Sequence, residues 1–456
     1  MFIDRESELE ALQDEWERNN RSFVVIYGRR RVGKTSLIKE FIKDKKHVYY
    51  LATELPIEQQ FRDLQRQAGN ELDDDLLKNE PFNRWDDFFN YLGGLDDKFI
   101  LIIDEFPYLV EAESAIPSIF QKGWDENLKN SNIDLILCGS SISMMEDKVL
   151  KSDSPLYGRK TSQLKLKDLP IRSIQKFLTG HSPEEMIRYF SIFGGVPAYL
   201  ELLEPENNFE DNIVRTVLNI DAPLKDAVDF ILKTELRKPE RYRGILSNLA
   251  RGVNTLNGLS QAMSMEGNQI SQYLSSLRTL GLTKRIEPIT MSPKKRKRRG
   301  RYMITDKFTR FYFYYVLPNR SDIEEGKPGS VLNEFNDTEA HFISPIFEEI
   351  ARDHVVKNKN YSKVGRWWYK EDEIDVVALS ETDNKILLGE CKWSRNPVGE
   401  KIYYKLKEKT DKVRWKNDER KVEYVIFSKS GFTENISDIA DPNLTLVDID
   451  ELWDSL

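Results

Sequence analysis

The chain has 456 residues, 39% of them hydrophobic and 32% charged, and its formal net charge is −8. This composition is typical of a globular protein of roughly two to four domains, and the acidic balance excludes a surface that binds nucleic acid everywhere, although not a local basic patch. Two distant cysteines in predicted strands, Cys138 and Cys391, indicate a reducing compartment without disulfides. No run approaches the roughly 18 apolar residues of a membrane helix, and the acidic, helical N-terminus is unlike a signal peptide. We therefore expect a cytoplasmic protein without a membrane partner.

A phosphate-binding loop is predicted near the N-terminus. The sequence YGRRRVGKTS follows a β-branched run and precedes a helical pattern, and it fits G-x-x-x-x-G-K-[ST]. The loop N–H groups and the helix N-terminus would bind phosphates, Lys34 would reach the β- and γ-phosphates, and Thr35 would bind Mg²⁺. Three arginines occupy variable positions of the motif, and their positive charge would strengthen the electrostatic attraction of the loop for phosphate. The predicted nucleotide-binding residues are Gly28, Arg29, Arg30, Arg31, Val32, Gly33, Lys34, Thr35 and Ser36.

A second strand, in KFILIIDEF, ends in two carboxylates, Asp104 and Glu105. Ligands of open α/β sheets bind at the carboxyl ends of strands. Asp104 would hold Mg²⁺ through water, and Glu105 would orient or deprotonate the attacking water. The alternative is an acidic pair that caps the next helix. The adjacent Asp-Glu and the lack of an Asn-Lys-x-Asp guanine signal favour ATP hydrolysis over GTPase or small-metabolite kinase chemistry.

A third strand, in IDLILCGSSISMM, ends in serines. Ser140 or Ser141 would contact the γ-phosphate or the attacking water, although both are equally good helix caps. Further on, Arg159 and Lys160 follow this strand. Arg159 is a candidate arginine finger, acting on its own nucleotide or on a neighbour's in an oligomer, and a surface turn is an equal alternative.

These motifs occur in an order that resembles the archaeal-type ATPase family, within the AAA+/STAND group of P-loop NTPases. The resemblance rests on FIDRESELEAL, YGRRRVGKTSL, LIIDEFPYL, SPLYGRKTSQLKLKDL and FGGVPAYL. It implies a P-loop ATPase core at 1–165, with a parallel sheet, and a helical lid at 166–224. By the same resemblance, Gly194, Gly195 and Pro197 lie in the lid, with Pro197 near the adenine. Without it, Gly-Gly-x-Pro indicates only a helix-breaking turn.

The middle of the chain, 225–318, has the pattern of a winged helix-turn-helix. NQISQYLSSLRTLGL places apolar residues on one helix face, and an apparent hairpin follows. The tip of this hairpin, Lys294–Arg301, has seven basic residues in eight and suits contact with the phosphates of double-stranded DNA. A solvated loop and contact with an acidic protein are the alternatives. The aromatic run after it, Phe308–Tyr315, is better explained as core than as a base-stacking surface.

The last part of the sequence contains a linker-like stretch, 319–336, and a small α/β domain, 337–456. Asp375 begins one predicted strand, and Glu390 and Lys392 project from one face of the next, about 7 Å apart. Glu348, on a predicted helix, could bring another carboxylate. Such carboxylates would form a divalent-metal site, with the lysine orienting water or stabilising charge during phosphodiester cleavage.

This constellation resembles the PD-(D/E)xK nuclease fold. Asp375, Glu390 and Lys392 match its motif, and Ile374 replaces the proline before the aspartate. The structural alternative is an edge hairpin with exposed charge pairs. Cleavage remains a separate question, since such domains are often retained as binding modules.

Together these features predict an α/β protein that binds and hydrolyses ATP with Mg²⁺. In this hypothesis the ATPase is coupled to a DNA-binding winged helix and a nuclease-like C-terminal domain. The alternative is a nucleotide-gated switch or scaffold with slow hydrolysis, which recruits DNA or a protein partner and has an inactive nuclease-like domain.

Overall fold

The computed structural model describes residues 2–18, 21–291, 300–358 and 360–456. The chain divides into two compact units. The first comprises Met1–Leu169 with Val196–Ala198, and the second comprises Pro170–Gly195 with Tyr199–Leu456. In the part of the chain that is described, no helix is both long and apolar enough to cross a bilayer.

The first unit contains a five-stranded parallel sheet. Its strands are β1 (Phe23–Tyr27), β2 (His47–Leu51), β3 (Phe99–Asp104), β4 (Ile133–Gly139) and β5 (Ser162–Lys165), in the order β2-β3-β4-β1-β5. Every residue of β1, β3 and β4 is buried, and nearly all of them are apolar, as expected for strands covered on both faces. The parallel pairing and the order of the five strands confirm the predicted parallel sheet of a P-loop fold.

Helices follow the strands of this sheet and form its outer layers. They are Glu6–Glu17, Lys34–Phe41, Ile57–Leu72, Asp75–Asn79, Trp85–Gly93, Phe106–Ala112, Ile116–Glu126 and Ile142–Met145, with a 3₁₀ turn at Leu128–Asn130 and a π-helical turn at Glu146–Leu150. One core cluster joins Leu12, Leu37 and Ile38 of the helices to Ile26 and Ile136 of the strands. This packing presses helix Lys34–Phe41 against the sheet and so sets the position of the loop before it.

The second unit is largely helical in its first half. Its helices are Pro183–Phe193, Phe209–Ile213, Ala227–Glu235, Pro239–Ala250, Leu256–Met263, Gly267–Thr279, Lys307–Phe311, Arg320–Glu324, Pro328–Asn358, Lys401–Lys409, Glu434–Ser437 and Ile449–Asp454. The 3₁₀ turns are Ile171–Lys176 and Thr410–Lys412, and the π-helical turns are Val214–Leu218 and Tyr312–Val316. Helix Pro197–Leu200 has residues in both units.

Three helices between Pro239 and Thr279 are followed by an antiparallel hairpin of β6 (Thr283–Ile286) and β7 (Arg301–Ile304). Of the predicted basic tip, residues 294–299 lie outside the described residues. In the aromatic run that comes next, Phe308, Phe311 and Tyr315 are at most 1% exposed. The prediction that this run is core is confirmed.

The C-terminal sheet has five strands, β8 (Lys363–Tyr369), β9 (Asp372–Ser380), β10 (Lys385–Lys392), β11 (Lys421–Ser428) and β12 (Leu444–Asp448), in the order β12-β11-β10-β9-β8. The pairs of β8, β9 and β10 are antiparallel, and those of β10, β11 and β12 are parallel. Since β9 and β10 lie inside this sheet, the alternative of an exposed edge hairpin is wrong.

The stretch expected to be a linker, 319–336, is helical instead. Gly326 ends helix Arg320–Glu324 with a φ of 72°, and Pro328 then begins the 31-residue helix Pro328–Asn358. Val331 and Phe335, on the early turns of this long helix, are each 1% exposed. The polar composition of the stretch suggested a linker, but two apolar side chains suffice to bury one helical face.

Candidate functional site

The loop between β1 and helix Lys34–Phe41 has a backbone that only certain residues can form. Gly33 has a φ of 93°, and Arg31 has a φ of 70°. A Cβ at Gly28 would lie 2.5 Å from the main-chain oxygen of Leu166, closer than any normal contact. The two glycines of the motif are therefore required for different reasons. Gly33 adopts a left-handed backbone conformation, and Gly28 permits close approach to the chain after β5.

Lys34 is almost entirely buried by this loop. Its Nζ donates hydrogen bonds to the main-chain oxygens of Gly28 and Arg29, both at 2.9 Å, and the residue is 5% exposed. These carbonyl groups hold the ammonium inside the loop, where phosphate oxygens would be surrounded by N–H groups. Arg30 is held separately, since its Nη2 donates to the Tyr108 hydroxyl at 3.0 Å.

Three side chains converge where β2, β3 and the loop meet. The Thr35 hydroxyl donates to Asp104 Oδ2 at 2.9 Å, and the Tyr49 hydroxyl donates to the same oxygen at 2.6 Å. Asp104 is 1% exposed. A hydroxyl and a carboxylate in contact are hard oxygen ligands, and they fit Mg²⁺ with phosphate oxygens and water as its other ligands.

The sequence did not reveal Tyr49. This residue comes from β2, whose pairing with β3 aligns Tyr49 with Ile102 and Leu51 with Asp104. Burial, followed by the hydrogen bond to Asp104, raises the pKa of the Tyr49 hydroxyl, so it remains a donor. The only signal in the sequence was a tyrosine within an apolar strand, which is common in cores.

Glu105 and Ser140 come from the carboxyl ends of neighbouring strands and contact each other. The main-chain N–H and the hydroxyl of Ser140 donate to Glu105 Oε2 at 3.0 and 2.8 Å. Glu105 has a φ of 53° and occupies the N-cap position of helix Phe106–Ala112. Because its side chain binds Ser140 and forms no capping hydrogen bond with that helix, the helix-cap alternative is wrong for Glu105.

Arg159 is engaged elsewhere in the first unit. Its Nη2 lies 2.8 Å from Asp125 Oδ2, and its Nη1 donates to the main-chain oxygen of Pro155 at 2.8 Å. The structure therefore pairs this arginine with helix Ile116–Glu126 and does not place it in contact with the described loop residues. Pro197 does adjoin the loop, since its Cγ lies 3.9 Å from the position of a Cβ on Gly33.

In the second unit, the predicted carboxylates Glu348, Asp375 and Glu390 all line one cavity of about 560 Å³. Asp375 Oδ2 accepts a hydrogen bond from the Cys391 N–H at 2.9 Å. Burial, and then the charges of Glu348 and Glu390, raise the pKa of Asp375 to about 7. The strand register brings Asp375 and Glu390 near each other, because the β9–β10 ladder ends at the pair of Val376 with Gly389, their neighbours in the sequence.

Cations compensate the carboxylate on the long helix. Glu348 forms an ion pair with Arg366 of β8 and a longer one, 3.6 Å, with Arg352 one helical turn away. Arg352 Nη1 also donates to the main-chain oxygen of Asp375 at 2.9 Å. The helix and the sheet are therefore linked through guanidinium groups at this edge of the cavity.

Cations likewise compensate Glu390, which contacts Lys392 at 2.7 Å and Lys409 at 3.4 Å. Lys392 thus lies on the predicted face of β10. Among the described residues, however, no three His, Cys, Asp or Glu side chains are arranged to hold a metal ion. Arginine and lysine engage Glu348 and Glu390, the outer two of the three expected metal ligands, and the metal site stays a prediction.

Comparisons with known proteins agree with this fold. Residues 2–203 match a family described as an ATPase domain predominantly from Archaea, and residues 312–412 match a family of archaeal and bacterial proteins of unknown function. The uncharacterized protein MJECL04 of Methanocaldococcus jannaschii is 37% identical over 422 residues, which cover 91% of this chain and 92% of that protein. The uncharacterized ATP-binding protein MJ0423 of the same organism is 52% identical over 46 residues, 10% of this chain and 78% of its own.

Among solved structures, the Walker-type ATPase PABY2304 of Pyrococcus abyssi superimposes with a TM-score of 0.54 and 20% identity, covering 68% of this chain and 96% of that chain. At that identity the similarity shows the fold alone. The match to MJECL04 over 91% of the chain and the matched ATPase domain show the family as well as the fold. The chain therefore belongs to the archaeal-type ATPase family, with its ATPase domain at residues 2–203.

Proposed function

We propose that the first unit binds ATP with Mg²⁺ and hydrolyses it. The observation that carries this proposal is the contact of Thr35 with Asp104 beside the loop whose main-chain oxygens hold the Lys34 ammonium. Thr35 and Asp104 would hold Mg²⁺, which neutralises charge on the phosphate oxygens when bound. Lys34 would move from the loop carbonyls to the β- and γ-phosphates.

Glu105 is the proposed general base. Its carboxylate lies one residue beyond Asp104, and Ser140 holds one of its oxygens with two donors. The second oxygen would accept a proton from the attacking water, and Ser140 would set the direction of that oxygen. Ser140 therefore acts by positioning Glu105 in this proposal, and a contact with the γ-phosphate is not required.

Residues 166–224 are proposed to form the lid, with Pro197 near the adenine. Its contact distance from Gly33 supports this assignment, because an adenine base must lie close to the loop that binds its phosphates. Gly194, with a φ of 61°, ends helix Pro183–Phe193 just before it. The turn before Pro197 requires glycine for conformational reasons alone.

Steady-state phosphate release and binding of a fluorescent ATP analogue test the ATPase proposal. We expect Lys34→Ala to abolish tight binding and turnover. Lys43→Ala is the matched control: this lysine follows the same helix, is largely exposed and pairs with Glu40, so it should leave both quantities unchanged. Wild-type turnover by Lys34→Ala would contradict the proposal. Turnover that is slow and indifferent to duplex DNA would favour the alternative of a nucleotide-gated switch.

A second candidate function concerns nucleic acid. Three helices followed by a hairpin, at 225–318, support a winged helix, and the basic sequence of the hairpin tip supports contact with DNA. The contact of Lys392 with Glu390 and the pairing of β9 with β10 beside Asp375 support the PD-(D/E)xK resemblance of residues 337–456. Since no metal-binding set is formed among the described residues, no hydrolytic step is derived for this domain.

An assay with plasmid DNA distinguishes cleavage of DNA by this domain from binding alone. If the domain cleaves DNA, Asp375→Ala should abolish nicking while ATP hydrolysis persists. If the domain only binds, wild-type protein should retard the plasmid in a gel without nicking it. Failure of both results would leave the second unit without a role on DNA and would not affect the ATPase proposal.

A further inference from the structure

Tyr49 makes a contact in the nucleotide site that the proposed hydrolysis does not use. Its hydroxyl donates to Asp104 Oδ2 at 2.6 Å, and the Thr35 hydroxyl donates to the same oxygen at 2.9 Å. The other carboxylate oxygen, Oδ1, accepts from the main-chain N–H of Glu105 at 2.9 Å. Because Asp104 is almost entirely buried, these protein donors take the place of water around its charge.

The ring of Tyr49 is held in place independently of its hydroxyl. It packs against the core cluster of the first unit, which includes Leu37 of helix Lys34–Phe41. The main-chain N–H of Tyr49 donates to Glu71 Oε2 at 2.7 Å, which also fixes the backbone at this residue. A phenylalanine would fill the same space, so packing alone does not require the hydroxyl. What the hydroxyl adds is the contact with Asp104.

The two donors on Oδ2 leave this oxygen little capacity for a metal ion. A carboxylate oxygen has about two lone-pair directions, and Thr35 and Tyr49 use both of them on Oδ2. The Thr35 hydroxyl differs, because it gives its hydrogen to Asp104 and keeps lone pairs of its own for a cation. A cation bound to Thr35 would thus lie beside an oxygen that is already occupied, and it would reach Asp104 through a water molecule.

A carboxylate that is reached through water discriminates between divalent cations. Mg²⁺ loses its waters reluctantly and keeps several of them when it binds to protein together with phosphate. Ca²⁺ accepts a flexible geometry with more oxygen ligands and commonly binds carboxylates directly. An occupied Oδ2 therefore costs Mg²⁺ little and deprives Ca²⁺ of a ligand that it prefers.

We propose that Tyr49 determines the cation specificity of the nucleotide site. By occupying Oδ2 of Asp104, its hydroxyl prevents direct coordination by this carboxylate and so favours Mg²⁺ over Ca²⁺. The inference rests on the proposed function of the first unit as an ATPase that uses Mg²⁺. Tyr49 acts through Asp104 and is therefore a positioning residue, not a metal ligand.

The test measures binding of a fluorescent ATP analogue to the full-length chain while Mg²⁺ or Ca²⁺ is titrated. The quantity compared is the ratio of the two half-saturating cation concentrations, because the affinity of each cation for the free analogue is the same in every titration. We expect Tyr49→Phe, which opens one acceptor direction on Oδ2, to shift this ratio towards Ca²⁺ by about tenfold, a typical effect of a residue that holds a metal ligand. Without a divalent cation, variant and wild type should bind the analogue equally.

Tyr50→Phe is the matched control. Tyr50 is the next residue of β2 and is buried, and its side chain points to the opposite face of the sheet because neighbours alternate along a strand. Loss of this hydroxyl should leave the ratio unchanged. A shift in Tyr50→Phe as large as that in Tyr49→Phe would overturn the inference.

Two further results would overturn the inference and leave the ATPase proposal intact. An unchanged ratio in Tyr49→Phe would show that the hydroxyl does not decide the choice of cation. An equal loss of affinity with both cations would show a structural role alone. A wild-type chain that binds the analogue with neither cation would instead contradict the ATPase proposal, and the inference with it.

The wild-type chain provides a second measurement if circular dichroism shows that Tyr49→Phe is unfolded. Mn²⁺ then replaces Mg²⁺ in the complex with the analogue, and the aspartate carboxyl carbons carry an isotope label that electron–nuclear double resonance detects. The coupling to Mn²⁺ falls steeply with distance, and coupling to the phosphorus nuclei of the analogue identifies the Mn²⁺ bound at the nucleotide. We expect only the weak coupling of a carboxylate that lies beyond a water molecule. The strong coupling of a directly bound carboxylate would overturn the inference.

Discussion

Asp375→Asn should change the pH dependence of stability in the C-terminal domain. The ordinary pKa of an aspartate is near 3.8, and that of Asp375 is raised to about 7 by burial and by two neighbouring carboxylates. Between these two values the folded state keeps a proton that the unfolded state has lost. Stability therefore falls as pH rises from about 4 to 7, by on the order of a few kcal/mol in total and mostly between pH 5 and pH 7.

Asparagine has no charge to bury, and its oxygen can still accept from the Cys391 N–H. Relative to wild type, Asp375→Asn should thus gain on the order of a few kcal/mol of unfolding free energy between pH 5 and pH 8, whatever its pH-independent effect. The assay is hydrogen exchange of the amides of β9 and β10, corrected for intrinsic rates. Asp372→Asn, which is partly exposed and paired with Lys412, is the control. A difference from wild type that is equal at both pH values would refute the reasoning.

Three further outcomes are expected in the first unit. Glu105→Gln should retain binding of ATP and slow phosphate release by about a hundredfold or more; an unchanged rate would exclude the general base. Gly28→Ala should weaken ATP binding, because its Cβ would lie 2.5 Å from a main-chain oxygen. The control is Gly94→Ala, whose Cβ would meet nothing closer than 3.5 Å. Equal affinities of the two variants for ATP would contradict the close approach at Gly28. Arg159→Ala should alter turnover less than about twofold, because Asp125 binds this arginine; a loss of about a thousandfold would restore the arginine finger.

The stretch 319–336 and the C-terminal carboxylates show what reasoning from the sequence missed. The polar residues at 319–336 suggested a linker, although Val331 and Phe335 bury one face of a helix. Asp375 was expected to begin its strand and is instead the fourth residue of β9, while Glu390 lies on β10 and lines the same cavity as Asp375 and Glu348. The sequence could not show that Arg366 would pair with Glu348. Arg366 lies on β8, and its position beside the long helix depends on the order of the strands in the sheet.

The sequence by itself determined the phosphate loop, its lysine and the acid at the end of β3. Their geometry depends on a few consecutive residues, since glycine conformations, a helix N-terminus and the end of a buried strand are local properties. Only the tertiary structure decided that Tyr49 shares Asp104 with Thr35, that Ser140 holds Glu105, and that the Arg310 guanidinium stacks on Phe342. Each of these contacts depends on which strands and helices become neighbours. That choice is a property of the whole unit, because it balances the gain from packing with the cost of burying polar groups.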